Sequence, residues 1–86
     1  MYIIVFSNRF KQDLRSLLKR NPQFKDRIRK KIEILASNPK YKSLRIHKLS
    51  GTENWSLSVN MSIRIIFKIK NDRILCTRIG KHEEVY

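Results

Sequence analysis

His47 and His82 are the two histidines of this chain, and Tyr86 follows four residues after His82. An unperturbed imidazole titrates near pH ~6.5, so either histidine can give or take a proton near neutrality. A tyrosine placed beside it can stack on a base or hydrogen-bond a phosphate. Arg64 and Arg78 each stand inside a strand-like run, and their forked N–H donors suit a charge developing on phosphorus. The chain carries 20 Lys+Arg against 7 Asp+Glu, a formal net charge of +13, which concentrates polyanions and binds them in a salt-dependent way. Among polyanions, RNA brings its own nucleophile. Attack by a 2′-hydroxyl needs a base near that hydroxyl, an acid near the leaving 5′-oxygen and cations on the phosphate. Charge alone suits DNA, an anionic lipid or an acidic protein equally well.

Other chemistries find less support. Gly51 and Gly80 are the only glycines, so no Gly-rich phosphate loop is present. No carboxylate cluster or His/Cys spacing suggests a metal, and no cofactor is expected. Cys76 is the single cysteine; it reads as a small apolar strand residue and fits a reducing cytoplasm. No run of about 18 apolar residues is found, so no membrane span is expected. The apolar opening, residues 1–6, lacks a basic start and a small-residue cleavage site and reads as a strand.

The elements that must hold the candidate residues follow from periodicity. Residues 2–6 are aromatic and β-branched, a strand. Ser7 can cap the helix after it, where Phe10, Leu14, Leu17 and Leu18 form one apolar stripe. Asn21-Pro22 suits a stop and restart, with asparagine as the N-cap and proline at the first helical position. Phe24, Ile28, Ile32 and Leu35 make the stripe of a second helix that Asn38-Pro39 ends. Beyond it, Trp55, Leu57 and Val59 alternate with serines, and Ile63, Ile65, Phe67 and Ile69 alternate with Arg64 and Lys68. Breaks at residues 60–62 and at Asn71-Asp72 make hairpins, and residues 44–49 can add an edge. Leu75, Thr77 and Ile79 are expected to alternate strictly with Ile74, Cys76 and Arg78.

The expected fold is α+β: one domain over residues 1–86, with an N-terminal strand and a two-helix hairpin packed on one face of a twisted antiparallel sheet. The other face is expected to be open and to carry Arg64, Lys68 and Arg78. Tyr41, Lys42, Arg45 and Lys48 form a basic cluster suited to electrostatic contact. Trp55, in phase with Leu57 and Val59, reads as core. Arg64 and Arg78 also admit a plain reading as solvent-facing strand residues, and His82 with Tyr86 as a frayed end.

In order and spacing, these segments resemble the RelE/ParE superfamily of toxins from toxin–antitoxin pairs. The matching pieces are Phe10, Leu14 and Leu17, the runs at 35–39 and 47–51, Trp55-Ser56-Leu57, and the runs at 63–67 and 78–86. The resemblance implies two helices on a twisted antiparallel sheet. It also implies one of two activities: ribosome-dependent cutting of mRNA, or poisoning of DNA gyrase in the ParE branch. A third outcome is a silent relative that only binds an antitoxin. The ending with His82 and Tyr86 looks most like ribonucleases of the YafQ and YoeB type. That match would make His82 the general acid, Arg64 and Arg78 phosphate clamps, Tyr86 a base-stacking residue and His47 a further active-site group. Lys42, Arg45, Lys48, Lys68 and Lys81 would contact RNA. YoeB-like members carry a glutamate base ahead of the His47 motif, where Ser43-Leu44-Arg45 offers none; RelE itself uses lysines in that neighbourhood, and the resemblance to it implies a contribution from Lys42 or Lys48. Implied partners are an acidic, partly disordered antitoxin in a heterotetramer, the ribosome and mRNA.

Overall fold

Ser7 is where the first strand becomes the first helix. The structure, a computed structural model, describes residues 1–85, and Tyr86 lies outside the described residues. Strand β1 (Ile3–Phe6) ends at Ser7, whose extended backbone lets its hydroxyl oxygen accept the Phe10 N–H at 3.0 Å. That bond satisfies one orphan donor of helix α1 (Asn8–Arg20). The same hydroxyl donates to the Thr77 carbonyl at 3.1 Å, so the cap is also a long-range tie. Asn21 does not cap the next helix as expected. Its backbone N–H closes α1 on the Leu17 carbonyl at 2.8 Å, and it makes no side-chain cap bond to the turn that follows. Pro22–Phe24 instead forms one 3-10 turn leading into α2 (Lys25–Ser37).

Four strands follow: β2 (His47–Lys48), β3 (Trp55–Ser58), β4 (Ile63–Lys70) and β5 (Arg73–Lys81). The β3–β4 turn is organised by Asn60, whose side-chain oxygen accepts the Ser62 and Ile63 N–H groups, each at 2.8 Å. Asn71 takes the left-handed conformation, φ 56°, that the β4–β5 turn requires and asparagine tolerates. The sheet order is β1-β5-β4-β3-β2. It is mixed rather than wholly antiparallel, because β1 pairs parallel with β5. The helices carry the chain from β1 to the far edge, and three hairpin connections bring it back to β5, which runs in β1's direction. Phe10, Leu17, Ile28 and Leu35 from the helices pack on Leu57, Ile65, Phe67, Ile74 and Ile79 of one sheet face. Among the described residues, no helix is long and apolar enough to cross a membrane.

Strict alternation fails in β5. Ile66 pairs with Arg78 and Phe67 with Cys76, so Thr77 is an extra residue opposite the β4 ladder. Ile74 and Cys76 face the core before this bulge and Ile79 after it. Without the bulge, Arg78 would enter the core with Cys76; with it, Arg78 joins the face opposite the helices.

β1 pairs with β5 only as far as Cys76, which leaves the later edge of β5 to be closed by α1. Asp13 does this. One carboxylate oxygen accepts the Ile79 N–H at 3.2 Å and Arg78 Nε at 2.8 Å, and the other accepts Arg9 Nε at 3.1 Å. The pair is partly buried, with side-chain exposure of 12% for Asp13 and 30% for Arg78. Burial opposes ionisation of Asp13, but hydrogen bonds from Arg78, the Ile79 amide and Arg9 outweigh it and hold the carboxyl below its ordinary range. Asp13→Ala should therefore cost about 2–3 kcal/mol at pH 7, because it strands a guanidinium and an edge N–H. A depressed folded-state pKa adds stability that is present above the unfolded value of about 3.9 and lost as pH falls through the folded value. Urea denaturation of the parent and Asp13→Ala should thus differ at neutral pH and converge in strong acid. An equal gap across the whole range would refute the charge argument.

Candidate functional site

Strand register assembles the face opposite the helices in rows, and this face is not open as expected: Ser56 and Ser58 at its centre are buried. His47 pairs with Ser56, Ser56 with Ile66 and Ile66 with Arg78, so these four residues cross the sheet on one side. Three strand spacings separate His47 from Arg78, about 14 Å. The next row runs Ser58, Arg64, Gly80. Arg64 and Arg78 are therefore diagonal neighbours on one face, with α-carbons about 7–8 Å apart. Lys68 lies on the same face, paired with Leu75, and Leu75 pairs with Val5. Ile66 is only 3% exposed although it faces away from the helices.

A short third helix, α3 (His82–Val85), begins where the β4–β5 ladder ends. Ile63 pairs with Lys81, and the next amide, of His82, donates to the Ser62 carbonyl at 3.2 Å. The Lys81 N–H donates to Glu84 Oε1 at 3.1 Å, and Arg78 Nη2 to the Glu84 carbonyl at 3.4 Å. The helix folds back over Gly80: a Cβ there would come within 3.2 Å of Val85 Cγ1. A small residue opposite Arg64 thus suits the close seating of α3, which begins with His82, against β5. His82 is exposed at the start of that turn.

The two arginines differ in what holds them. Arg78 is engaged by Asp13 and the Glu84 carbonyl. Arg64 Nε is buried without a hydrogen-bond partner among the described residues. Arg64 lines a groove of about 460 Å³ together with Lys31, Arg45, Ser58 and Asn60, and no carboxylate among the described residues lines it. Three cations around one concavity, Arg64, Lys31 and Arg45, have the charge and donors to hold an anion.

The other sequence candidates are scattered around this centre. Lys42 is exposed in a 3-10 turn (Lys42–Leu44), and Arg45 follows in the left-handed region at φ 49°. Lys48 pairs with Trp55, so it takes the face opposite His47; its Nζ sits 5.9 Å from the centre of the Trp55 ring. Lys81 is exposed and Lys68 half-buried. Trp55 packs on the core but stays partly exposed. Tyr86, the expected stacking residue, lies outside the described residues.

Sequence reasoning passed over Lys31, Ser58 and Asp13. Lys31 looked like part of a solvated helix face, and Ser58 like the polar half of an alternation. Asp13 had a readable signal: it is one of three acids among residues 1–42, set beside twelve Lys/Arg. Burial pushes the Cys76 thiol up to about 12, which suits a packing role rather than a nucleophile. Among the described residues, no group of three or more His, Cys, Asp or Glu could hold a metal ion.

The comparisons follow this geometry. The family described as "ParE toxin of type II toxin-antitoxin system, parDE" matches residues 4–86. No curated protein matches the chain in sequence. Among solved structures, the YafQ mutant H87Q from E. coli superposes with a TM-score of 0.86 at 18% identity, covering 100% of this chain and 99% of that one. A metal-bound toxin from Helicobacter pylori gives a TM-score of 0.84 at 23% identity, with 100% of both chains covered. The YoeB–YefM complex from Staphylococcus aureus gives 0.77 at 18% identity, covering 95% of this chain and 98% of that one. These likenesses speak for the fold. The family match speaks for descent: the chain belongs to the ParE toxin family of type II toxin–antitoxin systems, within the RelE/ParE superfamily.

Proposed function

We propose that this toxin is an endoribonuclease that cuts mRNA on the ribosome by 2′-hydroxyl attack. The observation that carries the reading is the Arg64 groove: Arg64, Lys31 and Arg45 line one concavity, with no acid among the described residues lining it. His82 begins two residues beyond Gly80, the cross-strand partner of Arg64, and so stands at the end of the same ladder. In this reading Arg64 holds the scissile phosphate and His82 protonates the leaving 5′-oxygen. Arg78 backs the phosphate from the next row while anchoring α3. His47, in the row of Arg78, is the second proton-transfer group, and Tyr86 stacks on a splayed base. Asp13 offsets part of the charge of Arg78, which leaves Arg64 the stronger phosphate ligand.

Such a set is sparse, so much of the rate must come from holding the 2′-hydroxyl in line with the leaving oxygen, and the ribosome supplies that orientation. The ParE description of the family keeps gyrase inhibition as the competing reading. Mapping mRNA 5′ ends after induction in a bacterium separates the two. Codon-phased cuts support the nuclease; DNA breaks with intact mRNA establish the competitor.

His82→Ala should lower cleavage of ribosome-bound mRNA by on the order of 10²–10⁴ while leaving the protein folded. Arg64→Ala should likewise abolish growth inhibition, and His47→Ala should lose less. Parent-like cleavage by His82→Ala would remove it as the acid. Short naked RNAs should bind loosely and detach as salt rises, yet resist cutting; efficient ribosome-free cleavage at physiological salt would contradict the ribosome's role.

The toxin's partner in this reading is an acidic antitoxin that folds as it wraps the basic surface. The product of the adjacent reading frame should co-purify with the chain and relieve toxicity. A product that does neither would leave this partner without support.

A further inference from the structure

A second groove is lined by aromatic side chains that none of the roles above uses. Tyr2, Tyr41 and Trp55 converge on a second concavity of about 460 Å³ whose rim carries Lys40, Lys42 and Arg45. Ile46 and Ile69 contribute apolar lining, and no carboxylate among the described residues faces it. The three rings come from residues 2, 41 and 55, so only the fold brings them together. Tyr41 is 52% exposed, more than core packing asks of an aromatic. Trp55 and Ile69 lie on the helix side of the sheet, paired with Phe67 and Ile74. This groove therefore opens away from the face of Arg64 and Arg78.

Arg45 links the two regions. It lines both the Arg64 groove and the aromatic groove, so one cation borders both. Arg45 therefore lies on the path of a strand that runs from Arg64 to the rings.

We propose that the aromatic groove is a second nucleotide subsite, which takes an unstacked base of single-stranded RNA while Lys40, Lys42 and Arg45 hold its phosphates. Every base has a flat π-face, and aromatic walls with cations at the rim match base and phosphate together. An acidic peptide would satisfy the cations, but it has no need of three ring walls and would bring carboxylates against an apolar lining. The choice of RNA as ligand rests on the nuclease reading; the presence of a base-binding groove does not.

Trp55 is the only tryptophan, so its fluorescence reports directly on this groove. The purified chain is titrated at ~0.15 M salt, where non-specific phosphate binding is weakened, with a short single-stranded oligoribonucleotide, a duplex of the same length, heparin and polyglutamate. The single strand should quench Trp55 strongly and the others weakly. Tyr41→Ala should weaken the single-strand affinity about tenfold. Equal quenching by heparin or duplex, or none by the single strand, overturns the proposal; stronger quenching by polyglutamate replaces it with an acidic-peptide site. If Tyr41→Ala does not fold, the ligand selectivity of the parent chain still decides. Selective quenching without any mRNA cleavage in cells leaves the subsite standing and removes only the nuclease reading.

Discussion

A strand that must serve a parallel neighbour, an antiparallel neighbour and a helix cannot keep one alternation along its whole length. β5 meets β1 through its first half, α1 through its second and β4 throughout. The extra residue at Thr77 absorbs the conflict. It lets Ile74 and Cys76 enter the core before it and Ile79 after it, and it turns Arg78 outward. Ser7 bonds the Thr77 carbonyl, and Asp13 bonds the Ile79 amide and Arg78, so the bulge is clamped from the α1 side. The face opposite the helices depends on that clamp: Arg78 reaches Glu84, and the turn that begins with His82 rests on Gly80.

Asp13 and Glu84 are engaged around β5, and no acid among the described residues lines either cationic groove. Asp13 serves Arg78 and Arg9, Glu84 holds the Lys81 amide, and Asp26 and Glu33 meet Arg29 on the outer surface of α2. The Arg29 contacts are exposed and contribute little to stability. Asp13 differs because it is shielded and accepts three hydrogen bonds. An excess of 20 basic over 7 acidic residues thus appears as two grooves that no acid among the described residues lines, one built around Arg64 and one around three rings.

Family membership narrows the function without choosing it. One fold hosts unrelated activities, and what separates them is the placement of a few side chains. The relevant placements here are the cationic groove of Arg64, the helical turn carrying His82 and the row from His47 to Arg78. Structural likeness at 18–23% identity describes the scaffold on which these groups stand.

The chain's local order was legible from its residues. The Phe10, Leu14, Leu17, Leu18 stripe and the Ser7 cap define α1, and the alternation from Ile63 to Ile69 defines β4. Asn71 marked its turn, and the cationic surplus and the His82 and Arg64 candidates needed only composition and position. These are properties of neighbours within one turn or one pleat, where sequence distance equals spatial distance. Tertiary structure decided the rest: the parallel pairing of β1, the bulge at Thr77, the separation of His47 and Lys48 onto opposite faces, and the ties of Asp13 to residues 65 and 66 positions away. Strand periodicity tells which residues alternate but not which face they take, and one inserted residue reverses the answer for all that follow. Register, and with it the site, comes from pairings between distant segments, which only the folded sheet establishes.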